Sequence, residues 1–99
     1  MIVELTAAAE ADLEAIGDYI AQDNPARALS FVRELSRSCL ELADMPEAWP
    51  IVQRYEHHGV RRRVHGRYLI FYRVAEGRIT ILHVLNGAMD VEAILFPNG

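Results

Sequence analysis

Arg61-Arg62-Arg63, Arg67 and Arg73 surround Tyr68 and Tyr72 in GVRRRVHGRYLIFYRV, residues 59–74. A guanidinium makes planar, bidentate contacts to carboxylate or phosphate, stacks on aromatic rings and keeps its charge. The stretch therefore suits either an RNA backbone or an acidic protein segment. RNA cleavage by a 2′-hydroxyl needs a general base, a general acid and cations beside the pentacovalent phosphate. His65, His83, Tyr68 and Tyr72 could act as acid or base, and Arg61, Arg63 or Arg73 as the cation. By strand parity His83 falls with Ile79, Ile81 and Leu85, where a lone histidine is more often structural than catalytic. His57-His58 reads as a solvated loop pair and Cys39 as a core residue on an apolar helix stripe. No residue set has metal-ligand spacing, so neither metal nor cofactor is expected.

All ten basic residues are arginine, and they are unevenly placed. Residues 1–53 hold ten acids against three arginines, and residues 54–99 hold seven arginines against four acids, within a net charge of −4. Either one face seeks an anionic partner, or the two halves neutralise each other across the fold.

The elements that must position these residues follow from periodicity. Ile2-Val3-Glu4-Leu5 is a short β-branched run ending at Thr6, a helix cap. Ala9, Leu13, Ile16 and Ile20 then recur at helical spacing to about Ala21. Asn24 caps a second helix with Pro25 at its first position, and Ala28, Val32, Leu35, Cys39 and Leu42 form its stripe before Pro46. So short a break folds the pair into an antiparallel hairpin. Met45 to Gly59 is irregular, with Trp49 and Ile51 expected to anchor it on the core. Val60–Val64, Arg67–Val74 and Ile79–Asn86 read as strands joined by turns at His65-Gly66 and Glu76-Gly77. Asp90 to Leu95 forms a last short helix or strand. The order β-α-α-β-β-β predicts one α+β domain, 1–99, with a helical hairpin packed on a small, mostly antiparallel sheet. Helices cover only one sheet face, so the arginines are expected near the other, open to solvent or a partner.

With 52% hydrophobic and 24% charged residues the chain can bury one core, and its apolar runs are too short to cross a bilayer. The N-terminal MIVELTAAAEADLE has neither a basic region nor an apolar signal core, and a single cysteine suits a reducing compartment. The expected location is the cytoplasm.

Several motifs recur together in the expected order. Ala11-Asp12-Leu13-Glu14-Ala15-Ile16-Gly17-Asp18-Tyr19-Ile20 precedes Asn24-Pro25, Ala28, Phe31, Leu35, Leu42 and Pro46. Arg62-Arg63, Tyr68-Leu69-Ile70-Phe71-Tyr72-Arg73 and Ile81-Leu82-His83-Val84-Leu85 follow, ahead of Met89-Asp90. This pattern resembles the RelE/ParE superfamily of type II toxins, specifically its ParE branch, over nearly the whole chain. The resemblance implies the same β-α-α-β-β-β fold. It also implies a role such as plasmid stabilisation, and a cognate ParD-like antitoxin with a ribbon-helix-helix part and a partly disordered tail. Toxin and antitoxin would form a hetero-oligomer. ParE-like members poison DNA gyrase, which makes gyrase the implied target. RelE-like members instead cut mRNA on the ribosome, and direct nucleic-acid binding is not expected on the ParE reading.

The carry-over favours ParE, because a lysine-dependent nuclease site is impossible here. The C-terminal Asn98-Gly99 also lacks the tyrosine or histidine that nucleases of this superfamily often carry. The family commonly reads V-L-H-G-R-R-D where this chain has Val84-Leu85-Asn86-Gly87-Ala88-Met89-Asp90. On this reading Arg61, Arg63, Arg67, Arg73, Met89 and Asp90 are the partner-binding residues. The alternatives are an mRNA endonuclease using His83, Tyr68, Arg61 and Arg63, or a degenerate homologue that only binds the antitoxin.

Overall fold

Thr6 closes the first strand and opens the first helix in one residue. Its Oγ1 accepts the Ala9 amide at 3.0 Å as N-cap and donates to the Leu82 carbonyl at 3.0 Å. The computed structural model describes residues 1–98, so Gly99 of the Asn98-Gly99 pair lies outside the described residues. The elements are β1 (Ile2–Leu5), α1 (Ala7–Ala21), α2 (Pro25–Glu41), β2 (Val60–His65), β3 (Tyr68–Ala75), β4 (Arg78–Asn86) and α3 (Val91–Leu95).

Local chemistry sets most of these boundaries. Asn24 Oδ1 accepts the Arg27 amide at 3.0 Å, with Pro25 at the start of α2. A Cβ built on Gly17 would stand 3.2 Å from Val32 Cγ2, so glycine there lets α1 and α2 approach closely. Glu76 and Gly77 have φ of 53° and 73°, the left-handed pair whose twist matches a tight β3–β4 hairpin. Asp90 caps α3 by accepting the Ala93 amide at 3.3 Å, which makes the last element a helix.

The sheet runs β1-β4-β3-β2, with β1 parallel to β4 and the other pairs antiparallel. Leu13 and Ile16 of α1 and Leu35 and Cys39 of α2 pack on Ile70, Tyr72, Ile79, Ile81 and Val84. Tyr72 is fully buried, and its hydroxyl donates to the Pro46 carbonyl at 2.7 Å, pinning the loop after α2. Burial raises the Tyr72 phenol, with Arg61 and Arg63 pulling the other way.

Two expectations need correction. The second sheet face is not open. Val60, Phe71, Leu85 and Phe96 form a second buried cluster there, covered by Val52 and Tyr55 from the loop before β2 and by Val91 and Leu95 from α3. The apolar area on both faces of β3 demanded a cover that the helices alone could not give. The parity of β4 also breaks. Phe71 pairs with His83 but Tyr72 pairs with Ile81, leaving Leu82 as the extra residue of a β-bulge. Ile79, Ile81 and Val84 therefore reach the helical side while Leu82 and Leu85 reach the other, so His83 does not share a face with both Ile81 and Leu85.

Tyr72→Phe removes only the hydroxyl bonded to Pro46 and is expected to cost about 1 kcal/mol in urea unfolding. Burial also pushes the Cys39 thiol up to about 11, with Arg63 a smaller opposing influence. Because the thiolate is the nucleophile, iodoacetamide at pH 8 should label Cys39 only after denaturation, which mass spectrometry can follow.

Candidate functional site

Backbone alternation along β2 sends Val60 into the second cluster and Arg61 and Arg63 toward the helical layer. Arg61 Nη1 donates to the carbonyls of Trp49 at 2.7 Å and Glu47 at 3.2 Å. Arg63 Nη1 donates to the Ser38 carbonyl at 2.8 Å, and its Nη2 lies 3.0 Å from Glu41. The Arg63 guanidinium also stands 4.8 Å from the Trp49 ring centroid. Since the last turn of α2 has no basic residue of its own, Arg63 supplies the cation that its exposed carbonyls favour. The two arginines thus lie on the face packed by the helices, where the sequence reading had expected the arginines near the opposite face.

His83 and Tyr68 are held elsewhere. The Asp12 carboxylate lies 2.8 Å from His83 Nδ1, and the same Oδ2 accepts the Val84 amide at 2.9 Å. Tyr68 packs on Phe31 with ring centroids 5.5 Å apart. His65 Nδ1 stands 2.9 Å from Ser38 Oγ. His83 sits on β4 and Arg61 and Arg63 on β2, with β3 between them, so two strand spacings of about 10 Å in all separate the backbones. The set His83, Tyr68, Arg61 and Arg63 does not converge on one point.

The remaining candidates divide by position. Arg73 donates through Nε to the His58 carbonyl at 2.9 Å. Arg67 precedes the opposite end of β3, roughly 20 Å away along the strand. Asp90 is committed to capping α3. Arg67 lines a surface depression with Asn86, Gly87 and Ala88, beside a groove of about 180 Å³ between α1 and the end of β4. Ala15, Ile16, Tyr19, Tyr68, Val84 and Met89 give that groove an apolar lining, with Asp12 and Asn86 also on its wall. Tyr19 is 70% exposed and Met89 49%, so two large side chains on the wall of that groove stay open to solvent.

The structure thus brings Arg67 and Met89 to one end of the sheet, and it adds Tyr19. Tyr19 was legible as a large aromatic lying off the Leu13–Ile16–Ile20 stripe, although the stripe alone said nothing of what it would meet. Among the described residues no group of three or more His, Cys, Asp or Glu could hold a metal ion. No helix among them is long and apolar enough to cross a membrane.

Removing Asp12 strands both the Val84 amide and His83, whereas removing the imidazole leaves Asp12 and the Val84 amide paired. Asp12→Ala is therefore expected to cost about 2 kcal/mol, and His83→Ala less. Equal losses in urea unfolding would refute that division of roles.

Comparison with known proteins places this geometry in context. A family model described as ParE toxin of type II toxin-antitoxin system, parDE, matches residues 3–91. Among solved structures, a chain of the chromosomal ParDE TA system from P. aeruginosa superposes with a TM-score of 0.75 at 26% identity. The match covers 87% of this chain and 95% of that one. No curated protein matches.

Proposed function

The chain belongs to the ParE toxin family of type II toxin–antitoxin systems, and from that premise we propose that it arrests growth by binding DNA gyrase. A cognate ParD-like antitoxin neutralises it by direct contact, in a hetero-oligomer formed in the cytoplasm. The chain acts as a single domain.

One observation carries the choice of binding over catalysis. The cations and the histidine that a phosphodiester-cleaving site would require are already engaged inside the fold. Arg61 holds the Glu47 and Trp49 carbonyls, Arg63 holds Ser38 and Glu41, and His83 holds Asp12. Redirecting Arg61 or Arg63 to a substrate phosphate would leave the part-buried carbonyl of Trp49 or Ser38 without its partner, at a cost of about 1 kcal/mol each. What the surface offers is a groove fit for side-chain insertion, lined by Tyr19, Tyr68 and Met89 with Arg67 beside it. Aromatic, methionine and arginine side chains are the types enriched at protein interfaces.

An antitoxin tail that is disordered until it binds suits such a surface. It covers a large area while losing ordering entropy on docking, which keeps the complex reversible. The apolar groove takes its hydrophobic side chains, and the exposed arginines take its acidic ones. Arg61 and Arg63 act on the interface indirectly, by fixing Trp49 and the end of α2.

Expressing the chain alone should arrest growth with a DNA-damage response, and co-expressing the antitoxin should restore growth. Purified protein should inhibit supercoiling by gyrase in vitro, while transcripts mapped after induction show no new 5′ ends. New 5′ ends within minutes would overturn the gyrase assignment. The double variant Tyr19→Ala, Met89→Ala should keep its fold yet bind the antitoxin at least tenfold more weakly, about 1.4 kcal/mol by calorimetry.

A further inference from the structure

Arg62 stands between two arginines committed to internal contacts, yet it makes none of them. Among the described residues, neither Arg62 nor Arg54 has an ion pair or a side-chain hydrogen bond. Both guanidinium-bearing side chains line one cavity of about 420 Å³, walled by Pro50, Ile51, Val52 and Gln53, with Glu92 of α3 at its edge. Arg33, Arg37 and Arg67 also lack such contacts among the described residues, and what sets Arg54 and Arg62 apart is that the two line one cavity together.

The backbone around this cavity is fixed. The Arg62 amide donates to the Pro50 carbonyl at 3.0 Å, and the Val52 amide donates to the Val60 carbonyl at 2.8 Å. The wall segment is thereby tied to β2, the strand that carries Arg62. Arg54 has φ of 75°, a left-handed conformation that glycine adopts freely and arginine rarely. Its amide donates to Glu56 Oε1 at 3.0 Å, which locks the turn. The Glu56 carboxyl is held below the ordinary carboxylate range, by its own amide first and that of Arg54 second. Glu56 thus serves the backbone of Arg54 and leaves its guanidinium free. An unfavourable backbone conformation kept at a residue whose side chain does nothing inside the fold points outward to a ligand.

We propose that the cavity between Arg54 and Arg62 binds a carboxylate side chain of a partner protein segment. Charge decides between the anions that two guanidiniums could take. Glu92 contributes one negative charge to the wall and is already bonded to the Tyr55 hydroxyl at 3.3 Å. Two positive charges against one leave a single positive charge, which one aspartate or glutamate neutralises. A phosphate dianion would overfill it and face Glu92. Pro50, Ile51 and Val52 give apolar contact to the residues flanking that acid. The backbone that carries both arginines is fixed before binding, so the ordering that accompanies capture is confined to their side chains. The site lies apart from the Tyr19–Met89 groove and does not depend on the gyrase reading.

The test follows the arginine Nε–H signals of the full chain by NMR during titration. The probes are the capped peptide acetyl-Val-Glu-Val-amide, its glutamine counterpart, inorganic phosphate and sodium chloride, all at matched ionic strength. The Arg54 and Arg62 signals should move together and saturate with the glutamate peptide, and stay still with the glutamine peptide. Arg54→Gly relieves the backbone while deleting the charge, so it should fold and weaken the response read at Arg62 by roughly tenfold. Arg62→Gln should do the same at Arg54. Tighter binding of phosphate than of the peptide would overturn the carboxylate assignment. Equal shifts with sodium chloride, or unchanged affinity in Arg54→Gly, would overturn the site.

Discussion

Where β1 stops at Leu5, the outer edge of β4 loses its partner strand, and α1 must satisfy the backbone groups left there. A buried strand edge with unpaired amides and carbonyls is costly, so something has to replace the missing ladder. The Thr6 amide takes the Ile81 carbonyl at 3.1 Å and its hydroxyl takes that of Leu82. Asp12 takes the Val84 amide and His83 together. The backbone groups of Ile81, Leu82 and Val84 are in this way closed by α1 and its cap. The bulge at Leu82 falls at the same place, where the pairing changes from strand to helix. This seam sets how the helical hairpin sits on the sheet, and the groove between α1 and the end of β4 follows from it.

A second constraint works from the opposite edge. Arg61 and Arg63 bind the end of α2 and the loop after it, and the same chain then crosses β2 to cover the other sheet face. The loop is irregular but not loose. Its anchors are the Tyr72 hydroxyl on Pro46, the Ile51–Arg61 bridge and the stacking of Tyr55 on Phe96 at 4.0 Å. A domain of this size has little apolar surface to spare, and covering both faces of the sheet gives it two linked clusters. Arg54, Arg62 and Arg67 stand outside these braces and line surface cavities, where a partner can reach them.

Much of the fold was legible because its signals are local. The caps at Thr6 and Asn24, the proline opening α2 and the Glu76-Gly77 turn each act within a few residues, and each sits where the sequence puts it. Strand limits shifted by a residue or so, as with the β2–β3 turn that includes Arg67 in place of His65. The arginine placement was not legible. Alternation along β2 puts Arg61 and Arg63 on one side, but which side faces the helices depends on the twist and pairing of strands distant in sequence. The His83 parity failed for a related reason, since one inserted residue reverses every later side chain and leaves no mark in the residue types.

The sequence by itself determined the element order, the β-α-α-β-β-β class, the helix caps and the family to which the chain belongs. The order, class and caps rest on short-range propensity and apolar periodicity, which neighbouring residues carry without help, and the family rests on the resemblance of whole motifs in their order. Only the tertiary structure decided which arginines are braces and which are free, and where Tyr19, Tyr68 and Met89 meet. A guanidinium takes whatever carbonyl or carboxylate the fold brings within about 3 Å, and that distance is set by segments tens of residues apart.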